Sequence, residues 1–220
     1  FFLDRLNSEP HALAFAGQST PWPVALADQS TNPVLDGELH AHAAAAQALL
    51  YPVAADLLAT TGRPVDLFGF EANPARLGDA ASAAASVPGI ALTQLGALID
   101  AAELGYNPAK AKPIAVLGHS QGVLAVHMVQ AIEQAGSIAA ATAQIDEILA
   151  IATLIGVAGT RQTRQLGLAA RHGEATPMLS VKDITRAQVD ALIARVSGVH
   201  GPIAVAVANS ATHYVLSGYP

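Results

Sequence analysis

A chain of 220 residues can hold one large domain, or a domain with a small subdomain. It is 52% hydrophobic and 13% charged. A lone soluble domain carries about a quarter charged residues, so much of this surface is expected to be covered by something else. The net charge of −6 argues against nucleic acid as the main partner, and the lack of cysteine excludes disulfide frameworks and thiolate metal sites.

No apolar run is read as reaching the roughly 18 residues of a membrane span. The start Phe1-Phe2-Leu3, with no methionine and no signal-peptide pattern, reads as a cut from a longer polypeptide.

In chain order, His11–Ala16 predicts a buried strand ending at Gly17, followed by a loop through Gln18, Ser19, Thr20, Pro21, Trp22 and Pro23, where Trp22 packs. An Ala-rich stretch from about Asp36 to Thr61 predicts a helix, kinked or divided at Pro52. Leu95, Leu98, Ile99 and Ala102 give Leu92–Leu104 the spacing of a core-facing helix. Ile114–Leu117 predicts a strand, and Val123–Met128 the start of a helix. Ile145–Gly159 predicts another apolar helix, and Arg161–Thr176 a helix end and connector.

The pattern changes after Pro177. Met178–Val181 predicts a strand, Thr185–Val196 a helix capped by Thr185, and Ile203–Val207 and Tyr214–Ser217 two strands joined through Asn209–Thr212. The order βαββ is the first part of a ferredoxin-like unit. The expected organisation is α/β: a core over 1–176 and a small, incomplete subdomain over 177–220.

Between the predicted strand and helix lies Gly118-His119-Ser120-Gln121-Gly122. A G-x-S-x-G in strand–turn–helix context is a nucleophile elbow. Its glycines permit the turn, and the serine is held exposed at the apex. The backbone N–H groups and the helix N-terminus there can stabilise an oxyanion, so the chemistry predicted for Ser120 is formation of an acyl-enzyme. His119 is expected to point away from the nucleophile and His127 to pack. His40 and His42, two apart on a helix, read as a solvated face rather than a metal pair. Gln94 reads as an ordinary helix residue.

Three segments together resemble the acyl-CoA:acyl-carrier-protein transacylase domains of fatty acid and polyketide synthases. These are Phe15-Ala16-Gly17-Gln18-Ser19, the elbow, and Ala208-Asn209-Ser210-Ala211-Thr212-His213-Tyr214-Val215-Leu216-Ser217-Gly218. With Thr153-Leu154-Ile155-Gly156-Val157, the chain is most similar to the acetyltransferase domain of giant type I fatty acid synthases, fungal or actinobacterial.

The resemblance implies an α/β-hydrolase-like acyltransferase core. It implies that Ser120 takes an acyl group from acetyl-CoA, or malonyl-CoA, and passes it to the phosphopantetheine thiol of an acyl carrier protein. It sets the oxyanion donors at the backbone of Gln121 and Gln18, and puts His119, Ile155 and Asn209 in the substrate site. No bound cofactor or metal is implied. The partners implied are the carrier protein and the other domains of a cytoplasmic, homo-oligomeric synthase, with no nucleic acid or membrane.

The family's general-base histidine follows the ferredoxin-like unit, so it is expected beyond residue 220, and the fragment alone is expected to be inactive. Malonyl-selective members carry an arginine where this alignment puts Ile155. A buried isoleucine there gives malonate no counter-charge, since burying an unpaired carboxylate costs several kcal/mol. Arg161 and Arg164 read as surface or capping charges.

Three alternatives stand beside this reading: a malonyl- or palmitoyl-type transferase of the same family, a serine esterase using Asp183 or Asp190 with His200 or His213, and a structural segment of a large assembly.

Overall fold

A computed structural model describes residues 5–17, 21–59, 66–69, 82–165 and 178–218. The chain forms two compact units, residues 1–161 and 162–220. Both are mixed α/β.

In the first unit, β1 (Ala12–Phe15) pairs in parallel with β2 (Ala115–Gly118), in a register that sets Phe15 opposite Gly118. The helices are α1 (Trp22–Gln29), α2 (Pro33–Ala59), α3 (Ala83–Glu103), the short α4 (Pro108–Ala111), α5 (Gly122–Ala135) and α6 (Thr142–Gln165). The centre is α3, whose Ile90, Leu92 and Leu95 are wholly buried. Met128, Val129 and Ile132 of α5 join them, as do Ile145, Leu149 and Ala152 of α6. Such burial is the main source of stability, at about 25 cal/mol per Å² of apolar surface removed from water. α5 also packs on β1 and β2, which fixes the β2–α5 junction.

Several expectations change here. α1 begins at Trp22, within what reads as loop, with Pro23 in its first turn, where a missing N–H costs nothing. α2 is not divided at Pro52 but continues through it to Ala59. α3 begins nine residues early and passes through Pro88, because burial on nearly every side outweighs the lost hydrogen bond. α6 runs to Gln165, so the helix end expected from Arg161 onward is present. Among the described residues, two helices, Ala83–Glu103 and Ala139–Gln162, are long and apolar enough by length and composition to cross a bilayer, contrary to the sequence reading. The first of these is taken up by the core.

The second unit has β3 (Met178–Lys182), α7 (Arg186–His200), β4 (Ile203–Ser210) and β5 (His213–Gly218) in an antiparallel sheet of order β3-β5-β4. This is the anticipated βαββ sequence of elements. Thr185 caps α7 in a capping box with Gln188. Val189 of α7 is buried with Tyr214 and Leu216 of β5. The connection between β4 and β5 is the two-residue turn Ala211–Thr212, so Asn209 belongs to the strand.

Candidate active site

The chain leaves β2 at Gly118 and enters α5 at Gly122, with Ser120 at the apex in the left-handed region (φ 54°). For a serine this conformation is sparsely populated and costs on the order of 1–3 kcal/mol. It persists because the surroundings over-determine it. The His119 amide donates to the Phe15 carbonyl at 3.0 Å, and the Gly122 and Val123 amides donate back to His119 and Ser120 carbonyls at 2.9 and 3.1 Å. A side chain at Gly122 would run into the Phe15 carbonyl oxygen and come within 2.9 Å of the Ala16 oxygen. One at Gly17 would reach 2.7 Å from the Ser120 Cβ. The end of β1 is thus packed directly on the elbow.

Ser120 is exposed, and its Oγ donates to the Gln121 Oε1 at 2.7 Å. Gln121 stands at the N-cap of α5 with helical φ and ψ, where the positive end of the helix faces developing negative charge. An exposed hydroxyl on a strained apex, at a helix N-terminus and beside a second strand end, is arranged for nucleophilic attack on a carbonyl.

Ser120, Gln121 and His119 are brought together at this turn. Gln18 lies outside the described residues. Asn209 is exposed on β4 of the second unit.

Ile155 is not buried as expected. It is 52% exposed on α6, on the same face as the exposed Ile151 and Leu154. Its helix turns Ile145, Leu149, Ala152 and Val157 to the core instead. His127 is exposed rather than packed. His42 is buried rather than solvated and bonds Asp146 of α6 at 2.6 Å through Nδ1. His40 is exposed and stacks on Phe68 with ring centroids 3.5 Å apart. Of the candidates for an esterase, Asp190 bonds Arg186 and His213 bonds Ser180. His200 lies outside the described side chains.

Gln94 is a helix residue, as read from the sequence, but its partner was not foreseen. It is buried on α3, and its Nε2 donates to the Ala16 carbonyl at 2.6 Å. The signal available was a glutamine inside an otherwise apolar helical face.

A comparison with curated proteins returned no match. The family profile of the starter unit:ACP transacylase in aflatoxin biosynthesis matches residues 69–220, well over half of the chain, including β2, the elbow and α5. The chain therefore belongs to the starter unit:ACP transacylase family, the acyltransferase-type domains of synthases.

Proposed function

We propose that this chain loads an acetyl starter unit from acetyl-CoA onto the phosphopantetheine thiol of an acyl carrier protein, through an ester on Ser120. The observation that carries the reading is Ser120 itself, exposed at φ 54° on a strand–turn–helix elbow. The family match gives starter-unit transacylation as the reaction class. The acyl group, the serine ester and the setting in a cytoplasmic fatty acid synthase are the finer steps proposed here.

In this reading the Ser120 Oγ attacks the thioester carbonyl, its proton passes to a general base, and CoA leaves as the thiol. The carrier thiol then attacks the ester and regenerates the serine. The Gln121 N–H and the N–H of Gln18, the residue after Gly17, hold the oxyanion. The packing of Gly17 against the Ser120 Cβ supports the second donor, because the chain leaves Gly17 already beside the nucleophile. The parallel β1–β2 pair with the elbow at its end supports an α/β-hydrolase-like core. Acetyl is favoured over malonyl because Ile155 offers no positive charge where malonyl-selective relatives carry arginine. Its exposure removes the burial penalty from that argument and leaves only the missing cation.

The test is to incubate the full-length protein separately with acetyl-CoA, malonyl-CoA and palmitoyl-CoA and to map the acylated peptide by mass spectrometry. An acetyl ester on Ser120 is expected, with Ser120→Ala lowering transfer about a million-fold, as in other serine acyl-enzymes. Equal malonylation would overturn the acetyl preference. No ester on Ser120 from any donor would overturn the nucleophile.

A further inference from the structure

We infer that Gln94 is a positioning residue for this acyl transfer: it fixes the end of β1 against the nucleophile by holding the Ala16 carbonyl. The inference rests on the acyl-transfer reading above and adds to it a residue with no part in the elbow motif.

The geometry runs in one unbroken series of contacts. Gln94 is 8% exposed, and its Nε2 donates to the Ala16 oxygen at 2.6 Å across 78 residues of sequence. That same oxygen lies where a side chain at Gly122 would come within 2.9 Å of it. The peptide that carries it continues into Gly17, whose Cα packs against Ser120 so closely that a side chain there would sit 2.7 Å from the Ser120 Cβ. Gln94 therefore orients the Ala16–Gly17 peptide, and that peptide sets the spacing between β1 and the elbow.

α3 is itself held in place around Gln94. The Gln29 Nε2 of α1 donates to the carbonyl of Thr93, the preceding residue, at 2.9 Å. Trp22 lies against Gly89, and the Gln29 side chain against Gly96, so closely that neither glycine has room for a side chain. The support thus passes from α1 to α3, from Gln94 to Ala16, and from Gly17 to Ser120.

Packing alone does not account for a glutamine here. A buried amide is unfavourable unless bonded. Nε2 is bonded, while Oε1 has no hydrogen-bond partner among the described residues. Leucine would fill similar space with no buried polar atom, so what glutamine adds is the hydrogen bond to Ala16. An attacking oxygen works only if the backbone packed against its side chain is already in place, and a misplacement of about 1 Å costs about 100-fold in rate.

The test uses the full-length protein with Gln94→Leu and Gln94→Glu, and three readouts. These are the rate at which a fluorophosphonate labels Ser120, kcat and KM for acetyl-CoA, and Tm. Gln94→Leu is expected to lower both labelling and kcat about 10- to 100-fold, with KM within about two-fold because ground-state binding is untouched.

Gln94→Glu supplies a control within one folded protein. The protonated carboxyl can donate O–H to the Ala16 carbonyl, whereas the carboxylate only repels it. Activity relative to the wild type at the same pH is therefore highest at low pH and falls as pH rises through the ionisation of the introduced carboxyl.

Unchanged labelling in Gln94→Leu, or a Gln94→Glu profile parallel to the wild type with Tm unaltered, overturns the inference and leaves Ser120 as nucleophile. A wild-type protein that the probe does not label overturns the acyl-transfer reading, and this inference with it.

Discussion

At Gly122 the elbow has no room for even one methyl group, because the Phe15 carbonyl oxygen occupies the space a Cβ would need. Gly122→Ala must push the end of β1 away or shift the start of α5, and overpacking of this kind costs about 1–3 kcal/mol. The larger effect falls on chemistry, since the displaced group is the strand end that packs on Ser120. Gly122→Ala is expected to fold with a lowered Tm and to lose nearly all labelling of Ser120. Full labelling would show that the β1–elbow contact does not matter to the nucleophile.

A second effect at this scale concerns pH. Burial, and then the nearby carboxylate of Glu133, pushes the Tyr106 hydroxyl above its ordinary value of 10.0. The hydroxyl bonds the Nε2 of His11 at 2.8 Å, and the His11 Nδ1 bonds the Glu9 carbonyl at 2.9 Å. The fold therefore favours the protonated tyrosine. That stability is fully present below pH 10.0 and is lost as pH rises toward the higher folded value. Thermal unfolding followed through this alkaline range should show a decline that Tyr106→Phe removes. An identical decline in the variant would assign it to other groups.

Among elements, the tie between α2 and α6 is the buried pair of His42 and Asp146. Replacing one partner by leucine leaves the other polar group buried without its bond, at about 1–3 kcal/mol. Replacing both removes that penalty. Asp146→Leu is expected to lower the urea midpoint, and the double variant His42→Leu with Asp146→Leu to recover part of it. Strict additivity of the two single changes would mean that the contact carries no coupling.

This pair also shows what the sequence concealed. The apolar runs that mark α6, β3 and β5 as elements are local and legible, although the face of α6 that carries Ile155 is exposed rather than buried. The turn at Gly118–Gly122 and the Thr185 cap, whose partners lie within a few residues, are legible too. The partner of His42 lies 104 residues away, and that of Gln94 lies 78 residues away, so neither leaves a mark on neighbouring positions. Trp22 packs, as its neighbours suggest, but its surrounding prolines read as loop where they begin a helix. α3 takes in Pro88 and Gly89, which lie before the start expected at Leu92, and it carries Gly96 as well. Its two glycines admit Trp22 and the Gln29 side chain, and that gain is tertiary. Of the candidate site, the elbow that carries Ser120 was legible, and the packing around it was not.

For the molecule as a whole, the two units differ in how much core each owns. The first buries whole faces of α3, α5 and α6. The second is centred on Val189, Tyr214 and Leu216, flanked by partly buried Val181, Ile193 and Val205. Units near or below about 60 residues bury a smaller fraction of their surface and are marginally stable. The amides of β3, β4 and β5 are therefore expected to exchange with solvent through openings of lower free energy than those of α3 and α5. Leu216→Ala sharpens the test. A truncation of this size in a core costs about 2–5 kcal/mol, and Leu216 is buried with Val189 and Tyr214 of its own unit. Exchange monitored by mass spectrometry should quicken across residues 178–218 and stay unchanged across 83–103 and 122–135. If it quickens equally in all three segments, the two units unfold as one cooperative body, and the smaller core takes its stability from the larger.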